Sequence, residues 1–165
     1  MSDTDNTMIL ETTQGKVVIE MRPDLAPGHV ARIKELTREG AYDGVVFHRV
    51  IDGFMAQTGD VKFGKSGSKA FNPSRAGTGG SGKKLKAEFN KEPHKRGTVS
   101  MARAQNPDSG DSQFFICFDD ARFLDKQYTV WGVVEEGMEH VDALPKGEPP
   151  RQPGKIISAK VAADV

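Results

Sequence analysis

The spacing of apolar and polar residues divides the chain into short alternating runs and two stretches of helical period. Residues 7–13 and 16–21 alternate around Gln14 and Gly15, the pattern of two strands joined by a tight turn where glycine can take a positive φ. Pro23, Pro27 and Gly28 break that pattern. Val30, Ile33 and Leu36 then recur at intervals of three among Arg32, Lys34, Glu35 and Arg38, which predicts an amphipathic helix over 30–39 stopped by Gly40. Residues 45–51 and 54–58, separated by Asp52 and Gly53, are rich in β-branched and aromatic side chains, as are 98–102, 113–118, 129–134 and 155–161. Each reads as a strand. Met138, Val141 and Leu144 mark a second short helix over 135–144, ended by Pro145 and Gly147. Eight strands and two helices predict a closed or nearly closed antiparallel β structure with helices at its ends.

Residues 61–95 stand apart. They hold nine of the 23 basic residues and six of the 18 glycines, with few apolar positions. A structureless stretch of that length is uncommon unless it is functional or disordered. Within it, GTGGSG (77–82) formally fits a dinucleotide fingerprint, and continuing to Lys83 it nearly fits a phosphate loop. Both motifs need a buried strand before the glycines and a helix opening after them. Pro73 interrupts the preceding run, and Lys84 stands where a magnesium-binding hydroxyl belongs, so the flexible-loop reading prevails.

Composition narrows the chemistry. The chain has 165 residues, with 23 Lys plus Arg against 23 Asp plus Glu. One domain fits that length, here 7–165 after a flexible segment 1–6. Zero net charge argues against nucleic acid as a partner, despite Lys83, Lys84 and Lys86. The first residues carry no basic or apolar segment, and no window approaches the roughly eighteen apolar residues of a bilayer-spanning helix. The expectation is a soluble, cytoplasmic protein with no membrane partner. Cys117 is the single cysteine and lies mid-strand, where a buried, inert thiol is expected. His29, His48, His94 and His140 lack metal-ligand spacing, and no G-x-S-x-G nucleophile elbow occurs. Neither metal nor covalent chemistry is indicated, and no cofactor.

What remains is an arginine among aromatic and amide side chains. Strand alternation puts Phe47, Arg49 and Ile51 on one face with His48 and Val50 on the other, and sets Met55 and Gln57 on one side after the turn. Read by itself, such an arginine is a surface residue as readily as a functional one. The wider order of motifs resolves the choice: FHRVIDGFMAQTGD (47–60), GTGG (77–80), SMA (100–102), GDSQFFI (110–116), FLD (123–125) and VWGVVEEGM (130–138). Together they resemble the cyclophilin family, bacterial members especially, over nearly the whole chain.

The resemblance implies an all-β dominated fold, an eight-stranded antiparallel barrel closed and capped by two α-helices, and peptidyl-prolyl cis–trans isomerisation without a covalent intermediate, in support of protein folding. It implies a catalytic role for Arg49, with Gln57 contacting substrate backbone and orienting Arg49, and with Phe54. Phe54, Met55, Phe115 and Leu124 correspond to a pocket for the proline ring. Ala102 and Arg103 correspond to the backbone that meets the residue before proline, and Gln113, Phe123 and Tyr128 line the same groove. Phe123 stands where many eukaryotic members carry Trp, which implies weak binding of cyclosporin-type ligands; Tyr128 stands where they carry His, and Arg103 where Asn is common. The implied partners are proline-containing peptides and unfolded or nascent proteins, met by a monomer. A proline-binding chaperone or scaffold with incidental isomerase activity is the alternative class, and Arg49 is the residue such a module could dispense with.

Overall fold

The computed structural model describes residues 4–165, so the first half of the segment expected to be flexible, 1–3, lies outside the described residues. Thr4–Asn6 form one 3-10 turn. Eight strands follow the predicted runs: β1 (Thr7–Thr12), β2 (Gly15–Met21), β3 (Arg49–Ile51), β4 (Met55–Thr58), β5 (Thr98–Met101), β6 (Phe114–Cys117), β7 (Val130–Glu136) and β8 (Ile156–Val161). They make one sheet in the order β3-β4-β6-β5-β7-β2-β1-β8, with every pairing antiparallel.

The sheet curls strongly but stays open, which corrects the closed barrel expected from sequence. Its outermost strands, β3 and β8, are not paired with each other. The segment before β3 instead meets the start of β8 and the residues before it: Gly44 N–H donates to the Ile156 carbonyl at 2.6 Å, Ile156 N–H to that of Val45 at 2.8 Å and Phe47 N–H to that of Gly154 at 2.8 Å, with an isolated bridge between Val46 and Lys155. The chain beside this seam contains Pro149, Pro150 and Pro153, which have no amide hydrogen to extend a ladder. A β-dominated half-barrel with two helices results.

Helix α1 spans Pro27–Arg38, three residues earlier than the periodicity indicates, because a proline is well suited to the first helical turn. Its own N-cap residue, Ala26, supplies no side-chain acceptor. Glu88 does so from the irregular segment instead, accepting from the amides of Gly28 (3.1 Å) and His29 (2.8 Å). A carboxylate there also meets the positive end of the helix dipole. The second helix, α2, is shorter than expected (Met138–Asp142), since β7 runs on to Glu136 and Gly137 turns the chain with φ +89°.

The core fills the concave side of the sheet. Phe114 meets Tyr42 and Trp131 edge-on, with ring centres 5.6 and 5.3 Å apart, and Leu10, Ile19, Ile33 and Val99 pack around them. Phe47 and Val50 both belong to this core. Phe47 therefore does not share a face with Arg49, as simple alternation predicts, because regular strand begins only at Arg49.

Candidate active site

Strands β3, β4 and β6 are neighbours, and their registers gather one set of side chains on the outer face of the sheet. Arg49 lies across from Gln57 and Ile51 from Met55, while Gln57 faces Phe115 and Met55 faces Cys117 on the next strand. On β6 the two-residue period sends Phe114 and Ile116 into the main core and Phe115 and Cys117 outward. The outward set joins Ala121 and Leu124 in a second apolar cluster, with Ile51, Phe54, Ala102 and Tyr128 packed against it.

A cavity of about 140 Å³ opens on this cluster, lined by Arg49, Phe54, Met55, Gln57, Ala102, Arg103, Phe115, Leu124 and Tyr128. All nine are residues singled out from the sequence. Of the other two, Phe123 sits at the rim, 68% exposed, with its ring centre 5.7 Å from that of Phe54. Gln113 lies one step away, where Gln57 Nε2 donates to its Oε1 at 3.0 Å.

The cavity floor is braced from beneath. Phe115 stacks on His94 with centres 6.1 Å apart and meets Tyr128 edge-on at 5.7 Å. His94 Nδ1 lies 3.1 Å from Asp125 Oδ1, and its Nε2 lies 2.9 Å from the Ser100 hydroxyl. Burial holds the His94 pKa below its ordinary value against the pull of Asp125. For Asp125 itself, desolvation is outweighed by hydrogen bonds from Arg122 and from the amide and ring of His94, which bring it down to about 2. The Cys117 thiol is pushed up to about 12, by burial first and by Asp125 second, so it stays protonated and unreactive near neutral pH.

Arg49 is the one cation on the apolar wall with a carboxylate partner: its Nε donates to Glu148 Oε1 at 2.9 Å, while the side chain remains 44% exposed. Gln57 pairs with Gln113 rather than with the guanidinium. Glu148 is 99 positions away in sequence and was not a candidate; lying in a Gly- and Pro-rich turn, it has no periodicity that could have marked it. Bonded at Nε, the guanidinium keeps the outer edge of its fork free for a further acceptor.

A second pocket of about 590 Å³ adjoins the first and shares Gln57, Ala102 and Arg103 with it. Its wall is the glycine-rich loop, whose amides point inward. The buried Asp60 carboxylate accepts from Lys62, Phe63, Gly77 and Gly79, and Asp111 accepts from Ser81 and Gly82, at 2.8–3.0 Å. Those donors are thus engaged within the fold, which agrees with rejecting a phosphate loop. Glycine is required by the close approach: a Cβ at Gly79 would lie 2.7 Å from Asp60 Oδ1, and one at Gly80 2.8 Å from Asp111 Oδ2. Gln113 ties the two pockets, since its Nε2 donates to the carbonyls of Gly77 (2.9 Å) and Gly79 (2.8 Å).

An apolar cavity thus opens beside a partly exposed arginine on a curled antiparallel sheet. A family model described as cyclophilin type peptidyl-prolyl cis-trans isomerase/CLD matches residues 7–161. A probable peptidyl-prolyl cis-trans isomerase of Brucella suis is 59% identical over 169 residues, covering 99% of this chain and 86% of the relative. The peptidyl-prolyl cis-trans isomerase of Synechococcus elongatus is 39% identical, covering 94% and 96%. Among solved structures, a cyclophilin from Hirschia baltica superposes with a TM-score of 0.85 at 33% identity, over 99% of this chain and 76% of that one. A Cryptosporidium parvum cyclophilin type isomerase, solved in the presence of the dipeptide Ala-Pro, gives 0.80 at 25% identity, over 94% and 98%. The chain belongs to the cyclophilin-type peptidyl-prolyl cis-trans isomerase family. Its activity is peptidyl-prolyl cis–trans isomerisation.

Proposed function

We propose that Arg49 drives isomerisation in the 140 Å³ cavity by donating a hydrogen bond to the proline nitrogen of a twisted X–Pro bond. The barrier to that rotation, about 18–20 kcal/mol, comes from amide resonance. In the transition state conjugation is lost and the nitrogen becomes pyramidal, with a localised lone pair. A charged donor aimed there binds the twisted amide better than either planar form, which is the requirement for rate enhancement. Arginine suits the task because it never deprotonates near neutral pH and its donors lie in a fixed plane.

In this reading Phe54, Met55, Phe115 and Leu124 hold the proline ring, the main chain at Ala102 and Arg103 takes the residue before it, and Tyr128 and Phe123 close the groove. Gln57 and Gln113 pass the position of the glycine loop to the cavity wall, and Glu148 fixes Arg49 from behind. The observation that carries the reading is the convergence of apolar groups from β4, β6 and the turns beside them on one cavity with Arg49 at its edge. Substrates are proline-containing peptides and unfolded or nascent chains, met by a single domain (7–165) acting as a cytoplasmic monomer. No helix among the described residues is long and apolar enough to cross a membrane. Exchange NMR on an Ala-Pro peptide tests the proposal: cross-peaks between cis and trans forms appear with catalytic amounts of protein and fade with Arg49→Ala. An Arg49→Ala variant that exchanges the peptide as fast as the parent removes Arg49 from the mechanism.

A further inference from the structure

We infer that the glycine-walled pocket selects substrates with an acidic side chain, Asp or Glu, two residues before the proline. The inference rests on the isomerase reading only for the direction in which a peptide crosses the groove. With proline on Phe115 and the preceding residue along 102–103, the next side chain upstream lies over the 590 Å³ pocket, because the two cavities share Gln57, Ala102 and Arg103.

Four cations line that pocket, Lys62, Arg75, Lys84 and Arg103, against a single carboxylate, Asp111. Asp111 is turned toward the loop and bonded to the amides of Ser81 and Gly82 and to the Ser81 hydroxyl. The nearby Asp60 is buried and taken up by four loop amides. Among the described residues, none of the four cations has a carboxylate within 4.0 Å. Three are nevertheless held in place by rings: Lys62 and Arg75 lie over Phe63 at 5.0 and 4.4 Å, and Arg103 over Tyr128 at 4.5 Å. The Arg103 donors also reach the carbonyls of Ala104, Gln105 and Gln127, so that residue contributes charge more than free hydrogens.

An acidic side chain entering this pocket meets positioned cations without displacing any existing ion pair. A lysine in the same place meets four like charges, and the one carboxylate of the lining, Asp111, is already bonded to Ser81 and Gly82. Lys62, Arg75 and Lys84 are exposed, so the discrimination is a matter of a modest factor and is sensitive to salt.

Three peptides of sequence X-Ala-Pro-Phe, with X as Glu, Ala or Lys, test the inference through two readouts, kcat/KM by exchange NMR and Kd by chemical-shift titration. The expected order is Glu, Ala, Lys, with Glu over Lys by roughly five- to twentyfold in both readouts at low salt, shrinking toward one near 1 M salt. The double variant Arg75→Glu with Lys84→Glu is expected to invert the order, and Lys84→Glu alone to narrow it. Equal affinity for the three peptides at low salt overturns the inference, as does an order unchanged in the double variant. If no peptide is turned over, the isomerase reading fails by itself, and the ranking of Kd values still decides the selectivity.

Discussion

The apolar cavity takes Arg49, Met55, Gln57 and Phe115 from β3, β4 and β6, whereas the pocket beside it is walled largely by 61–95, which holds no strand or helix. On the strands, position follows from the ladder: once Met55 faces Cys117 and Gln57 faces Phe115, every other side chain lands on the outer face without further instruction. In the loop no ladder exists: isolated bridges at Lys65 and Leu85 tie its flanks, and the position of the glycine-rich stretch follows from two carboxylates and Gln113. Asp60 and Asp111 collect the amides of Gly77, Gly79, Ser81 and Gly82 and so replace the hydrogen bonds that a strand would have made. In the proposed reading the first wall carries the reacting chemistry, while the loop-built wall carries Lys62, Arg75 and Lys84. A loop held by a few buried anchors can exchange its surface residues without disturbing the catalytic register, which is a physical reason to place selectivity there.

The sharpest break between the two walls comes from removing one group from each. Arg49→Ala is expected to lower kcat/KM about 100- to 1000-fold, the cost of a lost transition-state donor worth about 2.7–4 kcal/mol. Its thermal midpoint should stay within the scatter of repeat melts, since Arg49 is exposed and its bond to Glu148 is a surface one. Asp60→Ala is expected to do the reverse. It deprives four part-buried amides of their one buried acceptor and should cost on the order of 3 kcal/mol in chemical denaturation, with kcat/KM for Ala-Pro peptides falling far less than in Arg49→Ala. Equal losses of activity in the two variants would erase the division of labour.

A pH titration separates the walls more gently. His48 lies beneath the glycine loop, close to Gly77, and burial brings its pKa down to about 4. The folded form therefore holds fewer protons than the unfolded form between about pH 6.5 and 4. Stability is full above that window and declines as pH falls through it, by about 3 kcal/mol from this group. His29 and His94, also lowered by burial, act in the same direction. Isomerase activity, with no titrating catalytic group, should stay flat between roughly pH 7.5 and 9. Urea midpoints across pH 4–8 check the first expectation and a rate profile checks the second; a bell-shaped profile would return acid–base chemistry to the site.

Two smaller effects refine the strand wall. Phe123→Trp adds an indole N–H and apolar area at the rim, and should tighten cyclosporin binding by about 0.5–1.5 kcal/mol in calorimetric titration. Equal affinity in the parent would displace residue 123 from the contact. Glu148→Gln loosens the hold on Arg49 and should lower kcat/KM by no more than about fivefold, the scale of an exposed ion pair. A rise in rate would instead mean that Glu148 competes with substrate for the guanidinium.

The contrast also explains what the sequence could disclose. Alternation and β-branched composition located all eight strands, and the block at 47–60 with the FF pair at 114–115 contains five of the nine residues that line the apolar cavity, the other four following from the family resemblance. Features set by local period were legible. Phe47 was misplaced because it precedes the regular strand, where a two-residue period no longer holds. The open seam depends on how far the ladder can propagate past prolines, which is a property of two distant segments together. Glu148, the inward turn of Asp60 and Asp111, and the link from Gln57 to Gln113 are likewise contacts between stretches far apart, with no pattern in either stretch to announce them.

The cap that Glu88 places on α1 has a consequence for motion. The amides of Gly28 and His29 are bonded to a side chain some 60 residues later, not to their own helix. Whenever the segment around Glu88 lifts away, those two amides lose their acceptor while the rest of α1 keeps its ladder. Their deuterium uptake thus counts the openings of a distant loop, and a slow rate at Gly28 and His29 measures how rarely it leaves the body of the protein.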